Sequence, residues 1–86
     1  MLHEVSEHRF EQLGGWIPAG VRAQEYWSNA DESVLGVVLL DLTDKDWSVA
    51  VLRRTGPRQC EADYVEASIE SQMKAQFLLH QKMTGL

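Results

Sequence analysis

The sequence has a single cysteine, Cys60, among its 86 residues. One cysteine excludes an intrachain disulfide and is more typical of a reducing compartment than of secretion. Histidines are also few: His3 and His8 lie five positions apart, whereas two helical zinc ligands usually lie four apart, and His80 is remote in sequence. We therefore expect no metal and no cofactor. Only good packing or oligomerisation remains to stabilise so small a chain.

The chain also lacks a long apolar run. The longest such run is Val34–Leu40, which is too short to span a bilayer. The segment Met1–Arg9 is polar and has no apolar core of the kind found in signal peptides. We expect a cytoplasmic protein without membrane association, folded as a single domain over residues 1–86.

Signatures of catalysis are missing as well. There is no glycine-rich phosphate loop, nucleophile elbow or pair of catalytic carboxylates. Three aspartates near a predicted hairpin tip lack the loop length and the later glutamate of an EF-hand: Asp41, Asp44 and Asp46. Arg58 lies two positions from Cys60 and could activate its thiol, but no base can be placed beside it. We expect no catalytic residues, and a protein that is not an enzyme.

Positive charge is in short supply, with 8 Lys and Arg against 13 Asp and Glu, a net charge of −5. A net acidic surface repels a phosphate backbone, so nucleic acid is an unfavoured partner. The acidic residues are concentrated before residue 47. This asymmetry could help one subunit meet another, or help the protein meet a basic partner.

Two consecutive apolar segments, Val34–Leu42 and Trp47–Arg54, dominate the centre of the chain. They predict a β-hairpin that is covered on both faces, because a half-solvated strand alternates apolar and polar residues. Asp44-Lys45 is the expected two-residue tip, which places Leu42 opposite Trp47; a longer loop is the alternative. Val21–Ser28 and Arg58–Glu66 are predicted as the flanking strands.

Two helices complete the predicted fold. Val5–Leu13 predicts a short helix, and Ser68 or Ser71 caps a longer one that runs to about Thr84. The apolar side of the long helix is expected to contain Ile69, Met73, Phe77 and His80, with Leu79 and Met83 beside them. The predicted class is α+β: a four-stranded antiparallel β-meander with a short N-terminal helix and a long C-terminal helix packed on one sheet face.

This order of elements, with a long helix that begins near Ser68-Ile69-Glu70-Ser71, resembles that of HicB-type antitoxin domains. The resemblance concerns topology alone and carries no motif. No residue role and no function is transferred from it.

The sheet needs a cover on each face, and the chain offers few elements to supply them. The N-terminal segment is expected to cover only part of the face that the long helix leaves free. A large exposed apolar patch is rare on a soluble monomer, so we predict a homodimer that uses the residual sheet face or an edge strand. The side chains at issue are Leu35, Val37, Leu39 and Leu52 on one face, and Val38, Leu40, Val49 and Val51 on the other.

Two sets of residues are candidate contacts. Aromatic rings between sheet and helix could line a pocket for a small apolar molecule, or simply be the core: Trp16, Trp27, Trp47, Tyr26, Tyr64 and Phe77. Arg53, Arg54 and Arg58 could contact an anion, a base or a partner. We predict a small, non-enzymatic, homodimeric binding domain for a protein partner or a small apolar ligand. The alternatives are an antitoxin- or inhibitor-like interaction module and a sheet-based nucleic-acid binder.

Overall fold

The computed structural model describes residues 1–85 and has the predicted α+β class. One antiparallel sheet in the order β1-β2-β3-β4-β5 carries two helices. In chain order the elements are β1 (His3–Glu4), α1 (Glu7–Gln12), β2 (Val21–Ser28), β3 (Val34–Asp41), β4 (Trp47–Gly56), β5 (Gln59–Ile69) and α2 (Gln72–Thr84). The meander is confirmed, but the sheet has five strands and not four. The extra strand, β1, has two residues, too few to show a hydrophobic period.

Each helix begins at a serine. The side chain of Ser6 accepts a hydrogen bond from the backbone N–H of Arg9, and that of Ser71 accepts one from the N–H of Lys74. These bonds satisfy N–H groups that have no partner inside the helix. Of the two predicted caps for the long helix, Ser71 is the cap, while Ser68 belongs to β5. No helix within residues 1–85 is long and apolar enough to cross a membrane.

The two sheet faces carry separate apolar cores. On one face, α1 packs on Leu35, Val37, Leu39, Ala50 and Leu52. On the other face, α2 packs on Val38, Val49 and Val51. The expectation that the N-terminal segment leaves part of its face open is wrong. Phe10 of α1 is 1% exposed and the strand residues beneath it are equally buried, so one chain covers both faces. The homodimer therefore loses this support and stays a prediction.

Helix α1 is held on the sheet by polar contacts as well. Arg9 donates from two guanidinium nitrogens to both carboxylate oxygens of Glu32, in the turn between β2 and β3. Such a fork fixes geometry better than a single contact does. Gly15 lies so close to the ring of Phe10 that a Cβ atom there would come within 2.5 Å of it. The short helix and the loop after it therefore close over the sheet as one unit.

The β3–β4 hairpin has a longer loop than the predicted two-residue tip. Leu40, and not Leu42, pairs with Trp47, so the register differs by two positions from the expected one. Asp41 accepts hydrogen bonds from the backbone N–H groups of Asp44 and Thr43 at 2.9 and 2.8 Å, and these bonds lower the pKa of its carboxyl. Because side chains alternate with a period of two, the shift leaves every residue on its predicted face.

Strands β2 and β5 contain irregularities that change which face a side chain occupies. In β2 the register shifts between Ala23 and Glu25. Ala23 therefore packs against the core under α1, whereas Glu25 and Trp27 face α2. Regular alternation along a strand would place all three on one side. In β5, Cys60 packs on the α1 side and Tyr64 on the α2 side, although regular alternation would keep them on one face. Extra residues at such bulges reverse the alternation.

Helix α2 presents a different side to the sheet from the predicted one. Its buried residues are Ala75, Leu79 and Met83. The predicted contacts Met73 and Phe77 are 81% and 71% exposed. Met83 and Leu79 lie directly over Gly36, where a Cβ atom would stand 2.9 Å from Cδ1 of Leu79 and still nearer to Sδ of Met83.

Candidate functional site

The exposed apolar side chains of α2 lie one helical turn apart and form what we call the α2 ridge, Met73 and Phe77. Beside the ridge runs a groove of about 540 Å3, here called the α2 groove. Its lining combines the ridge with an N-terminal leucine and polar helix residues: Leu2, Met73, Gln76, Phe77, His80, Gln81 and Thr84. Among residues 1–85, no Lys, Arg, Asp or Glu side chain lines it. The groove can therefore accept an apolar group without removing water from a charge.

Glu25 lies beneath the N-terminal half of α2 and is only 9% exposed. Its Oε1 accepts hydrogen bonds from Nε1 of Trp27 and Nε2 of Gln76, both at 2.8 Å. Its Oε2 accepts one from Nε2 of Gln72 at 2.7 Å. Burial raises the pKa of Glu25, but the hydrogen bonds from Gln76, Trp27 and Gln72, with the nearby imidazole of His80, outweigh it and hold the pKa below its usual value. The side chain is therefore ionised at neutral pH.

His80 connects this polar network to the α2 groove. Its ring meets the indole of Trp27 edge-on, with the ring centroids 4.1 Å apart. Its Nε2 atom is buried and has no hydrogen-bond partner among residues 1–85. A buried ring nitrogen without a partner costs free energy, and a water or a ligand group would satisfy it.

The six predicted pocket aromatics do not meet in one place. Tyr26 lies on the α1 side, 4.8 Å from the ring of Phe10, and Trp16 donates from Nε1 to the carbonyl of Cys60 on the same side. The other four lie on the α2 side: Trp27, Trp47 and Tyr64 pack into the core there, and Phe77 is exposed. Binding of a small apolar ligand by these rings stays a prediction.

The three predicted arginines are also separated. Arg53 and Arg54 are consecutive in β4 and therefore point to opposite faces. Arg53 lies 3.7 Å from Glu61, in an exposed pair. Arg54 donates to the carbonyls of Glu32 and Pro57, each at 3.0 Å. Arg58 is exposed, near Cys60. The three guanidinium groups do not converge on one anion.

Cys60 is half-buried on the α1 side, and its thiol donates weakly to the carbonyl of Leu13 at 3.5 Å. Burial raises the pKa of the Cys60 thiol, and the charge of Arg54 only partly opposes this effect. The nearby cation that acts on the thiol is thus Arg54 and not the predicted Arg58. Less thiolate is present at neutral pH than for an ordinary cysteine.

We predict that Cys60 reacts with iodoacetamide at pH 7 at least about tenfold more slowly in the native protein than in the urea-unfolded chain, because alkylation requires the thiolate and access to it. Intact-mass spectrometry at timed intervals measures both rates. A native rate equal to the unfolded one would contradict the assignment of Cys60 as a packed, unreactive thiol.

The sequence predictions did not include Glu25 or the two glutamines that bind it. The sequence signal that could have found this site is the pair Gln72 and Gln76, which lie four positions apart in an otherwise apolar helix face and so indicate a shared polar partner. Within residues 1–85, no group of three His, Cys, Asp or Glu residues is placed to hold a metal ion. The chain matches no protein-family model, no curated protein and no solved structure.

Proposed function

We propose that the protein is a non-enzymatic binding domain that docks an apolar segment of a basic protein partner in the α2 groove. The observation that carries the proposal is the exposure of Met73 and Phe77, at 81% and 71%. Both sheet faces are covered within the chain, so the ridge is an apolar surface that the fold does not itself use.

The ridge has the composition of a contact surface. Aromatic residues and methionine are enriched at protein interfaces, where a few large side chains supply most of the binding free energy. Burying Met73 and Phe77 would contribute about 1.5–3 kcal/mol each before the costs of association. This contribution is enough for a specific but moderate affinity when polar contacts surround it.

The charge of the protein favours a basic partner. The chain carries a net charge of −5, and the two lysines of α2, Lys74 and Lys82, lie outside the lining of the α2 groove as residues 1–85 form it. A basic partner is therefore attracted from a distance, while a second acidic protein is repelled. An antitoxin- or inhibitor-like module is one form that such a binding domain would take. The separated arginines give less support to a nucleic-acid binder.

The test uses two synthetic helical peptides, one of leucine and lysine and one of leucine and glutamate, titrated by isothermal calorimetry. We expect the lysine peptide to bind and the glutamate peptide not to bind. The double variant Met73→Ser/Phe77→Ser should weaken binding of the lysine peptide by about tenfold or more. The matched control Val65→Ser, which changes an exposed apolar residue of β5, should leave it unchanged.

Undiminished binding by the double variant would overturn the proposal. The predicted homodimer is a separate outcome of the same experiment. If light scattering gives about twice the 9.8 kDa chain mass for the wild type and the chain mass for the double variant, a second copy occupies the ridge. That result would overturn the assignment to a basic partner.

A further inference from the structure

Glu25 is a buried carboxylate, and the imidazole of His80 lies near it without forming an ion pair. None of the four ion pairs among residues 1–85 includes it. Its three hydrogen-bond donors are neutral side chains, which spread its charge and do not cancel it. A buried anion is expensive to keep unless a cation or a full set of donors compensates it. An ionised group of this kind beside an open pocket is a feature of functional sites.

The pocket next to Glu25 has a volume of about 300 Å3 and is lined by Glu25, Gln72, Met73 and Gln76. It shares Met73 and Gln76 with the α2 groove, so the two cavities adjoin. A ligand that lies along the α2 ridge can therefore extend one end toward the carboxylate. That end must be cationic to complement the carboxylate, and the part that follows must be apolar to lie along the ridge.

We propose that Glu25, Gln72 and Gln76 form a receptor for the primary ammonium group of a lysine side chain of the protein partner. This inference rests on the proposed function and names what the partner presents. The alkyl stem of the lysine would lie against Met73, which leads from the pocket to the ridge. Long cationic side chains commonly bury their methylene groups in this way.

The pattern of free acceptors distinguishes an ammonium from a guanidinium. A carboxylate offers about four acceptor positions, and three are filled, two of them on Oε1. A guanidinium group prefers to donate to both carboxylate oxygens at once, but Oε1 already accepts two hydrogen bonds. An ammonium group needs only the one free position on Oε2. The side-chain carbonyl oxygens of Gln72 and Gln76 accept no hydrogen bond from residues 1–85, so they are free for its other two N–H groups.

The same three side chains also hold α2 against β2, and a purely structural role would need no ligand. Two small probes separate these roles: n-pentylammonium, and 1-pentanol as its neutral counterpart. NMR follows the side-chain amides of Gln72 and Gln76 and the indole N–H of Trp27 during each titration. We expect saturable shifts with pentylammonium and an affinity for pentanol that is at least about tenfold weaker, as the loss of a charged contact implies. Equal responses to the two probes, or none, would overturn the inference.

A variant pair tests the carboxylate itself. Glu25→Gln keeps the size of the side chain and removes its charge; Glu61→Gln makes the same change at an exposed site on β5. Pentylammonium binding should fall about tenfold or more in the first and stay unchanged in the second. Retained binding in a folded Glu25→Gln variant would overturn the inference. If that variant does not fold, the comparison of the two probes on the wild type decides the question.

The source of the ammonium is tested with the leucine–lysine peptide and a version in which norleucine replaces lysine. The lysine peptide should bind more tightly than both the norleucine peptide and pentylammonium. If pentylammonium binds as tightly as the peptide, the ligand is a free amine, and the assignment to a partner's lysine is overturned. The Met73→Ser/Phe77→Ser variant separates the two proposals. Peptide binding that it does not alter refutes the ridge as docking site. Pentylammonium shifts that persist in the single variant Phe77→Ser, which leaves the pocket lining intact, report on the Glu25 receptor.

Discussion

Replacing Phe10 by alanine should lower the free energy of unfolding by about 3–5 kcal/mol, whereas Phe77→Ala should change it by less than about 0.5 kcal/mol. The chain has two phenylalanines, which makes the comparison a matched one. Phe10 is 1% exposed and packs on Tyr26 beneath α1, and its removal leaves a cavity. Phe77 is 71% exposed and loses little in the folded state. Urea unfolding followed by tryptophan fluorescence measures both values.

The order of the two variants should reverse for binding. Phe77→Ala should weaken binding of the leucine–lysine peptide. Phe10→Ala, studied at urea concentrations below its unfolding midpoint, should bind the peptide normally because α1 and α2 lie on opposite faces of the sheet. Loss of the α1 cover would uncover the apolar face of β3 and β4 and favour self-association. Similar losses of stability in the two variants would contradict the coverage of that face by α1.

Substitution of Gly36 by valine should lower the free energy of unfolding by about 3 kcal/mol, although valine is the better strand residue. A Cβ atom at Gly36 would stand 2.9 Å from Cδ1 of the fully buried Leu79 and closer still to Sδ of Met83. Valine adds two further methyl groups, so α2 must move away from the sheet. The β-strand propensity of valine exceeds that of glycine by at most about 1 kcal/mol, and the cost of the steric clash is larger.

Two controls separate the clash from a general effect of losing a glycine. Gly56→Val makes the same change within β4, where a Cβ atom would meet only the flexible side chain of Gln59 at 3.2 Å, and it should cost less than about 1 kcal/mol. Met83→Ala alone removes a buried side chain and costs stability, but the double variant Gly36→Val/Met83→Ala should cost less than the sum of the two single variants, since it removes the nearest obstacle. Equal costs for the two glycine variants would show that α2 does not depend on the absence of a side chain at Gly36.

Strand limits were largely readable from the sequence, because turn residues and runs of apolar residues are local signals. The predicted strand Val21–Ser28 matches β2 at both ends. The bulge inside β2 was not readable, since an extra residue shows itself only through the pairing with β3. The hairpin register depended in the same way on the length of the loop after Asp41, for which the sequence allowed two solutions.

The candidate site was less predictable than the fold. Periodicity placed Met73 and Phe77 against the sheet because they are apolar, and it gave no role to Gln72 and Gln76. In the structure the glutamines donate hydrogen bonds to Glu25, and the side of α2 that meets the sheet combines these bonds with the buried Ala75, Leu79 and Met83. Glu25 faces the helix only because the β2 bulge reverses the alternation of its strand. The periodicity of α2 alone cannot reveal its contact with Glu25, because that contact depends on β2 and on the pairing of β2 with β3.

Strand β5 lies at one end of the sheet, and its eleven-residue outer backbone edge pairs with no other strand among residues 1–85. An open edge of that length is a template on which copies can stack into fibrils. Here the edge carries three carboxylates, Glu61, Asp63 and Glu66, and its pairing with β4 is irregular at several points. Like charges and a bent backbone hinder another strand from aligning there, so the irregular pairing that obscured the side-chain pattern also guards the protein against amyloid growth.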